Sequence, residues 1–220
     1  MKTIVVAPHP DDEVLGVGGT LLRRKAEGAK VAWLIVTNIS VEAGWSEEKV
    51  RERSDEINRV RELFCFDEVF MLNFQTTQLD RVPMSDLVTA VSDVFKSFQP
   101  TEVFVSHPSD VHTDHRIVFD AVASCTKWFR YPSIKRILAY ETLSETDFSL
   151  SPVEVFRPNV FMNIEQFLEG KLSAMNIYAS ELGKFPFPRS HEAIRALALL
   201  RGAASGCDAA EAFMLLKEIL

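Results

Sequence analysis

Short runs of apolar residues alternate along the chain with longer segments whose apolar positions recur at helical spacing. The runs at residues 3–8, 31–37, 68–73 and 102–107 have strand length. The segments between and after them, at about 15–28, 47–63, 84–98 and 113–127, read as helices. This alternation predicts an α/β fold, Rossmann-like, with a mostly parallel sheet covered by helices on both faces. Gly28 and Pro100 fall where αβ connections belong, at a helix stop and just before a strand. After about residue 136 the pattern weakens. Residues 137–140 and 160–164 read as strands, 147–158 as a Pro- and Ser-containing connection, and 165–181 and 190–202 as helices. Phe185-Pro186-Phe187-Pro188-Arg189-Ser190 separates those two helices, because its prolines exclude regular helix. No repeat, low-complexity tract or boundary divides the chain, so a single domain over residues 1–220 is expected.

Composition narrows the function classes. A chain of 220 residues that is 47% hydrophobic and 25% charged has ample material for one core. Its net charge of -7 and pI near 5.3 argue against a nucleic-acid partner, which needs clustered Lys and Arg. The longest apolar runs, such as Val31 to Val36, are too short for a membrane span. Lys2 precedes only a strand-length apolar run, which does not read as a signal peptide, and a cytoplasmic location is the expectation. Cys65, Cys125 and Cys207 are far apart and set among apolar neighbours, so reduced, buried thiols are expected.

The chemistry lies at two predicted strand ends. Thr3 to Ala7 runs straight into Pro8-His9-Pro10-Asp11-Asp12-Glu13, and Val103-Phe104-Val105 leads through His107 to Asp110-Val111-His112-Thr113-Asp114-His115. In open α/β sheets ligands bind outside the carboxyl ends of the strands. Three adjacent carboxylates are unfavourable without a positive partner, so the two clusters together predict one metal site. His9 and Asp12 offer a nitrogen and an oxygen from one turn, and His115 a second nitrogen. Two His and one carboxylate with an open position describe a catalytic zinc; calcium wants more oxygen ligands, while Fe2+ competes on donor type. Asp11 is the adjacent carboxylate placed to act as general base. His112 is placed to stabilise an oxyanion or protonate a leaving group, with Asp114 or Asp110 holding its imidazole. Plainer readings stand beside these: Asp11 or Asp12 as a helix cap, Thr113 as the cap of the helix after it, and His107 as a satisfied structural histidine rather than a residue of the cavity rim. Gly16-Val17-Gly18-Gly19 lacks the dinucleotide-binding spacing and is better explained by close packing of a helix on the sheet.

At these residues the chain resembles the PIG-L/LmbE family of N-acetylglucosaminyl deacetylases. The family's Ala-His-Pro-Asp-Asp-Glu is met by Ala7-Pro8-His9-Pro10-Asp11-Asp12-Glu13 with one inserted proline, and its His-x-Asp-His by His112-Thr113-Asp114-His115. The resemblance implies Zn2+, with Fe2+ or another divalent metal as the variant, on His9, Asp12 and His115. It also implies Asp11 as base and His112 as the group that stabilises the tetrahedral intermediate. Arg53-Ser54-Asp55-Glu56 looks like the family's Arg-x-x-Glu, which implies that Arg53 reaches a sugar hydroxyl or an anionic aglycone; as a bare sequence it is equally a solvated helix position with an i,i+3 partner. Arg201-Gly202 and Ala210-Glu211-Ala212-Phe213 resemble the closing pattern, with Glu211 expected to pair with Arg201. The resemblance is weakest over residues 140–190, and residues from about 137 to 220 are expected to form the substrate-side part. Tyr131, Tyr140, Glu141, Phe185, Arg189 and His191 are the candidates to line it.

The implied activity is zinc-dependent hydrolysis that releases acetate from an N-acetyl amino sugar, free or conjugated, by a protein that forms homo-oligomers as family members often do. Two alternatives accompany it: an amidase that cleaves a thiol-sugar conjugate, and a non-catalytic sugar- or nucleotide-binding module. The module would have no use for an unliganded carboxylate such as Asp11.

Overall fold

Residues Thr3 to Ala7 are buried on both faces, as a strand in the middle of a parallel sheet must be. In the computed structural model, which describes residues 1–220, this strand is β1 (Lys2–Ala7). It pairs in parallel with β2 (Lys30–Asn38) on one side; β3 (Glu68–Gln75) adds to the far edge of β2. On its other side it pairs in parallel with β4 (Glu102–Ser106), and β5 (Arg136–Tyr140) adds beyond β4. The helices are α1 (Asp12–Ala26), α2 (Glu47–Phe64), α3 (Met84–Phe98), α4 (Thr113–Ser124), α5 (Leu168–Met175) and α6 (His191–Ser205). α1, α2, α5 and α6 cover one face around Trp33, Phe104, Tyr140 and Phe213. α3 and α4 cover the other, around Phe95, Phe98 and Val103. The α/β architecture read from the alternation is therefore the one observed.

The weaker second half departs from the expectation in three places. β6 (Val160–Asn163) forms as read, but a further strand, β7 (Ala210–Glu218), inserts between β5 and β6 and runs antiparallel to both, which makes the sheet mixed. The helix expected over 165–181 is broken into a 3-10 turn at Glu165–Phe167, the short α5, and a second 3-10 turn at Ala179–Glu181. Asn176, Ile177 and Tyr178 are mediocre helix formers, and the chain turns there so that the Tyr178 side chain enters the core. Glu211 does not pair with Arg201. It lies under α1, where its carboxylate accepts hydrogen bonds from the Gly19 and Thr20 amides and meets Lys171 Nζ at 2.7 Å. Arg201, on α6, pairs with Glu141 just past β5.

The glycines of α1 are explained by contact. A Cβ on Gly16 would lie 2.3 Å from Tyr140 Cδ2, and one on Gly19 2.8 Å from Ile164, so the helix sits on the sheet too closely for a methyl group. Of the cysteines, Cys125 is buried and Cys207 half-buried, but Cys65 is exposed because it occupies the left-handed residue that ends α2. No helix is long and apolar enough to cross a membrane.

Candidate active site

The sheet order places β1 beside β4, where the chain stops building outward through β2 and β3 and starts building the other way through β5. Such a switch point opens a crevice at the carboxyl ends of the two strands. Both His/Asp clusters enter it, His9 to Asp12 from β1 and Asp110 to His115 from β4.

Asp12 Oδ2 lies 3.3 Å from His9 Nδ1 and 3.2 Å from His115 Nε2. A tetrahedral ion with bonds of about 2.0–2.1 Å has its ligand atoms roughly 3.3 Å apart, so these donors are spaced to hold one. Each imidazole is also held from behind. His115 Nδ1 meets Asp110 Oδ2 at 2.9 Å, and His9 Nε2 meets Asp114 Oδ2 at 3.0 Å. Carboxylates in that position fix the ring and its tautomer, as they do behind metal-ligating histidines. A second donor group, His9, His112 and Asp114, is also within reach of one ion. It fits worse, because both Asp114 oxygens already accept amides, those of Thr77 and Leu79, and His112 Nδ1 accepts the Asp114 amide, whereas Asp12 accepts a single amide, that of His9.

That last bond corrects the expected partner of His112. Neither Asp114 nor Asp110 holds its imidazole through a carboxylate; both side chains are engaged with the other two histidines. His112, not Thr113, caps α4, because the first-turn N–H groups of a helix lack internal acceptors and the imidazole supplies one. With Nδ1 accepting, the proton of a neutral ring resides on Nε2. Burial, followed by the neighbouring His9 and His115, pushes the His112 pKa down to about 4, so the ring is neutral.

Asp11 occupies the position before α1, yet its side chain makes no capping bond. Its backbone has φ 130° and ψ -29°, a strained conformation for a residue with a Cβ. The carboxylate instead lines the cavity, 3.5 Å from Arg189 Nη1. Burial, together with the charges of Asp12 and Glu181, raises its pKa to about 8.

Electrostatics favour a cation at the cluster. Burial works against a charge on His9, but the Asp114 and Asp12 carboxylates outweigh it and raise its pKa to about 9. Burial opposes charge on His115 as well, and Asp12 with Asp110 carries it well above the ordinary value. Burial likewise opposes ionisation of Asp12, but His115 and His9 hold it well below the usual carboxylate range. Protons on two imidazoles supply the positive charge that a divalent ion would bring to the same atoms.

The cavity around these groups measures about 320 Å³ and is lined mostly by polar and charged residues. Arg53 is in its wall rather than on a solvated face: Nη1 donates to the Pro10 carbonyl at 3.0 Å and Nη2 to Glu181 Oε1 at 2.7 Å. Glu181 also meets Arg189 Nη2 at 3.2 Å, so one carboxylate holds two arginines. Of the other candidates, Arg189 lines the cavity and the rest do not. Tyr131 and Tyr140 are core residues whose hydroxyls donate to Ser92 Oγ and the Val6 carbonyl. Glu141 is engaged with Arg201, while Phe185 and His191 lie outside the cavity wall. His107 is buried and outside the cavity wall, 2.9 Å from Ser109 Oγ, with its pKa lowered by burial. Glu145 and Glu181 were not foreseen. Glu145 Oε2 accepts the His112 amide at 3.1 Å and lines the cavity.

Residues 4–126 match the model of the PIG-L family, GlcNAc-PI de-N-acetylase. The chain is 27% identical over 184 residues to the uncharacterized deacetylase YaiS of Escherichia coli, an overlap of 80% of this chain and 90% of that protein. It is 26% identical over 222 residues to diacetylchitobiose deacetylase of Thermococcus kodakarensis, covering 96% and 81% of the two chains. In fold it is similar to N,N'-diacetylchitobiose deacetylase from Pyrococcus horikoshii, with a TM-score of 0.79 and 21% identity over 98% of this chain and 84% of that one. The matched segment spans more than half of the sequence and contains both His/Asp clusters, and the chain accordingly belongs to the PIG-L family of de-N-acetylases and is a hydrolase.

Proposed function

We propose that the protein removes the N-acetyl group from an amino sugar of the N-acetylglucosamine type, free or conjugated, and releases acetate and a free amine. The observation that carries this reading is a cation-ready triad, His9, Asp12 and His115, beside a carboxylate, Asp11, that binds neither the helix nor the triad. Two nitrogens and one oxygen favour zinc, with Fe2+ the competitor on donor type. Bound there, the ion supplies Lewis acidity toward the amide carbonyl and makes water a readier nucleophile.

The remaining steps belong to the protein's own groups. Asp11 takes the proton of the attacking water. The Nε2–H of neutral His112 donates to the oxyanion that forms as the carbonyl becomes tetrahedral. Amides depart only once their nitrogen is protonated; because His112 is neutral, the proton gained by Asp11 is the one returned to that nitrogen. Asp110 and Asp114 act behind the metal-binding histidines.

A small cavity lined by hydroxyl, carboxylate and guanidinium groups suits a polyol. Residues from about 137 onward form its substrate-side part, contributing Thr142, Glu145, Glu181 and Arg189, while Arg53 joins them from α2. We place the enzyme in the cytoplasm, acting as a homo-oligomer on a small molecule rather than on a nucleic acid. The deciding experiment measures metal content and acetate release from N-acetylglucosamine and several conjugates, before and after chelation. Stoichiometric metal with chelator-sensitive acetate release is the expected result; bound metal with no acetate from any of these sugars would overturn the substrate class.

A further inference from the structure

Three helices of this chain begin with a capping side chain, and all three do so in the same way. Ser46, His112 and Ser190 have extended backbones (φ -67°, -69° and -79°), and their side chains accept an amide hydrogen from the first turn. This is the ordinary geometry of a helix start. Asp11, a residue type that caps well, departs from it entirely. Its φ of 130° turns its own N–H inward and leaves its carboxylate unbonded to the helix.

The inward N–H finds a partner of unusual placement. Glu13 is completely buried in the first turn of α1, and its Oε2 accepts the Asp11 amide at 3.0 Å. Its other oxygen, Oε1, accepts the hydroxyl of Tyr178 at 2.8 Å, and Tyr178 is itself completely buried. Tyr178 belongs to the segment where the expected helix breaks, three residues before Glu181. Both carboxylate oxygens of Glu13 are therefore engaged, one by the strained residue and one by an anchor from the far half of the chain. On the other side, the Asp11 carbonyl accepts the amides of Val14 and Leu15 at 3.0 and 2.9 Å, so the flipped peptide is pinned at both ends.

We infer that Glu13, fixed by the Tyr178 hydroxyl, is a positioning residue that holds the Asp11 backbone in its flipped conformation, so that the Asp11 carboxylate faces the reacting amide instead of capping α1. Without Glu13 the relaxed alternative is an extended Asp11 whose side chain folds back onto the first-turn amides. This inference rests on the reading of Asp11 as general base.

Glu13→Ala, Glu13→Gln and Tyr178→Phe test it, with rates expressed per metal-loaded, folded chain. A misplacement of about 1 Å in a reacting group lowers turnover about 100-fold, and that loss in kcat, with KM changed less than about twofold, is expected for Glu13→Ala. Glu13→Gln keeps an acceptor for the Asp11 amide and turns its own amide hydrogens toward the Tyr178 oxygen, so most of kcat returns. Tyr178→Phe leaves Glu13 unanchored and lowers kcat roughly tenfold with KM unchanged. A merely structural role lowers the melting temperature of all three and leaves kcat per loaded chain at the wild-type value; that outcome overturns the inference. If Glu13→Ala does not fold, Tyr178→Phe decides by the same criterion. Hydrogen exchange of the Asp11 amide provides a readout that needs no turnover. It is expected to be slow in the wild type, where the amide is bonded to buried Glu13, and to quicken in Glu13→Ala and Tyr178→Phe, and unchanged exchange overturns the inference. If the wild type releases no acetate while exchange responds as expected, the deacetylase reading fails and the role of Glu13 in holding Asp11 stands.

Discussion

Asp11→Asn separates the chemical role of this residue from its effect on stability, and the two are expected to move in opposite directions. Asparagine tolerates positive φ better than most residues, and its backbone amide still donates to Glu13, so the fold and the triad are retained. What is lost is the proposed proton acceptor, and general bases are typically worth 10²- to 10⁴-fold in rate, so kcat is expected to fall by about that factor. Stability rises. The Asp11 carboxyl titrates near 8 in the folded metal-free protein, against about 3.9 in an unfolded chain. Between those values the folded state holds a proton that the unfolded state does not, so its stability declines as pH rises through the window, and the full cost is present above pH 8. At about 1.4 kcal/mol per pKa unit, the shift sets an upper bound of roughly 6 kcal/mol. Burying the replacement amide keeps part of that cost, leaving an expected gain on the order of 1–2 kcal/mol, or about 2–8 °C in Tm for a chain of this length. Thermal melts of chelated protein at pH 5.5, 7.0 and 8.5 measure the gap between variant and wild type, which should widen with pH. Acetate release and metal content complete the assay. Turnover within tenfold of wild type with metal still bound refutes the base assignment, and a Tm gap that stays flat or narrows with pH refutes the burial argument.

Three further outcomes are expected. Asp110→Asn loosens the support behind His115 and should weaken metal binding about 10- to 100-fold, measured by competition with a chromogenic chelator; unchanged affinity would remove Asp110 from the site. Because His9, raised to about 9, His115, raised well above its ordinary value, and Asp11, raised to about 8, hold protons in the metal-free protein, binding at pH 7 should release about two to three protons per ion. Calorimetry in buffers of different ionisation enthalpy measures that number, and a value near zero means that the free imidazoles are neutral. The stability these two histidines lend the metal-free protein is present at low pH and lost as pH rises through about 9 for His9. Gly16→Ala forces a methyl group to within 2.3 Å of the Tyr140 ring, which is fully buried and tied to Val6; a loss of about 1–3 kcal/mol is expected, and a melting temperature equal to wild type would contradict the close packing of α1.

The first half of the fold was legible because its signals agree. β1, β2 and β4 are apolar runs buried on both faces, bounded by turn residues, and no helical period competes with them. β7 was not legible. Ala210, Glu211, Met214, Leu215, Leu216 and Lys217 are good helix formers, and only pairing with β5 and β6, from segments some 50 to 80 residues earlier, makes the stretch a strand. The same division runs through the site. His9, Asp12 and His115 meet because their motifs end neighbouring strands, which strand order predicts. Which carboxylate backs which imidazole was not readable: Asp110 and Asp114 flank His112 at equal spacing, and the turn into α4 sends them to His115 and His9 instead. The link from Arg53 through Glu181 to Arg189 joins residues over 120 positions apart by charge alone, without a periodic signal.

This division bears on how such a site changes substrate. The triad and Asp11 hang on two central strands whose burial leaves little room for substitution, whereas Glu145, Glu181 and Arg189 come from irregular segments after β5. Irregular backbone accepts insertions and exchanges that a buried strand does not, so the wall proposed to face the sugar is free to vary while the proposed reacting groups stay in place. The two parts still touch at defined points: Glu181 on Arg53, Arg189 beside Asp11, and the Glu145 carboxylate on the His112 amide. A change in the wall that preserves these contacts alters KM among sugars and leaves kcat for the preferred one intact. A change that breaks the Glu145 bond frees the backbone of His112, and with it the donor proposed for the oxyanion, so specificity and rate are expected to be lost together.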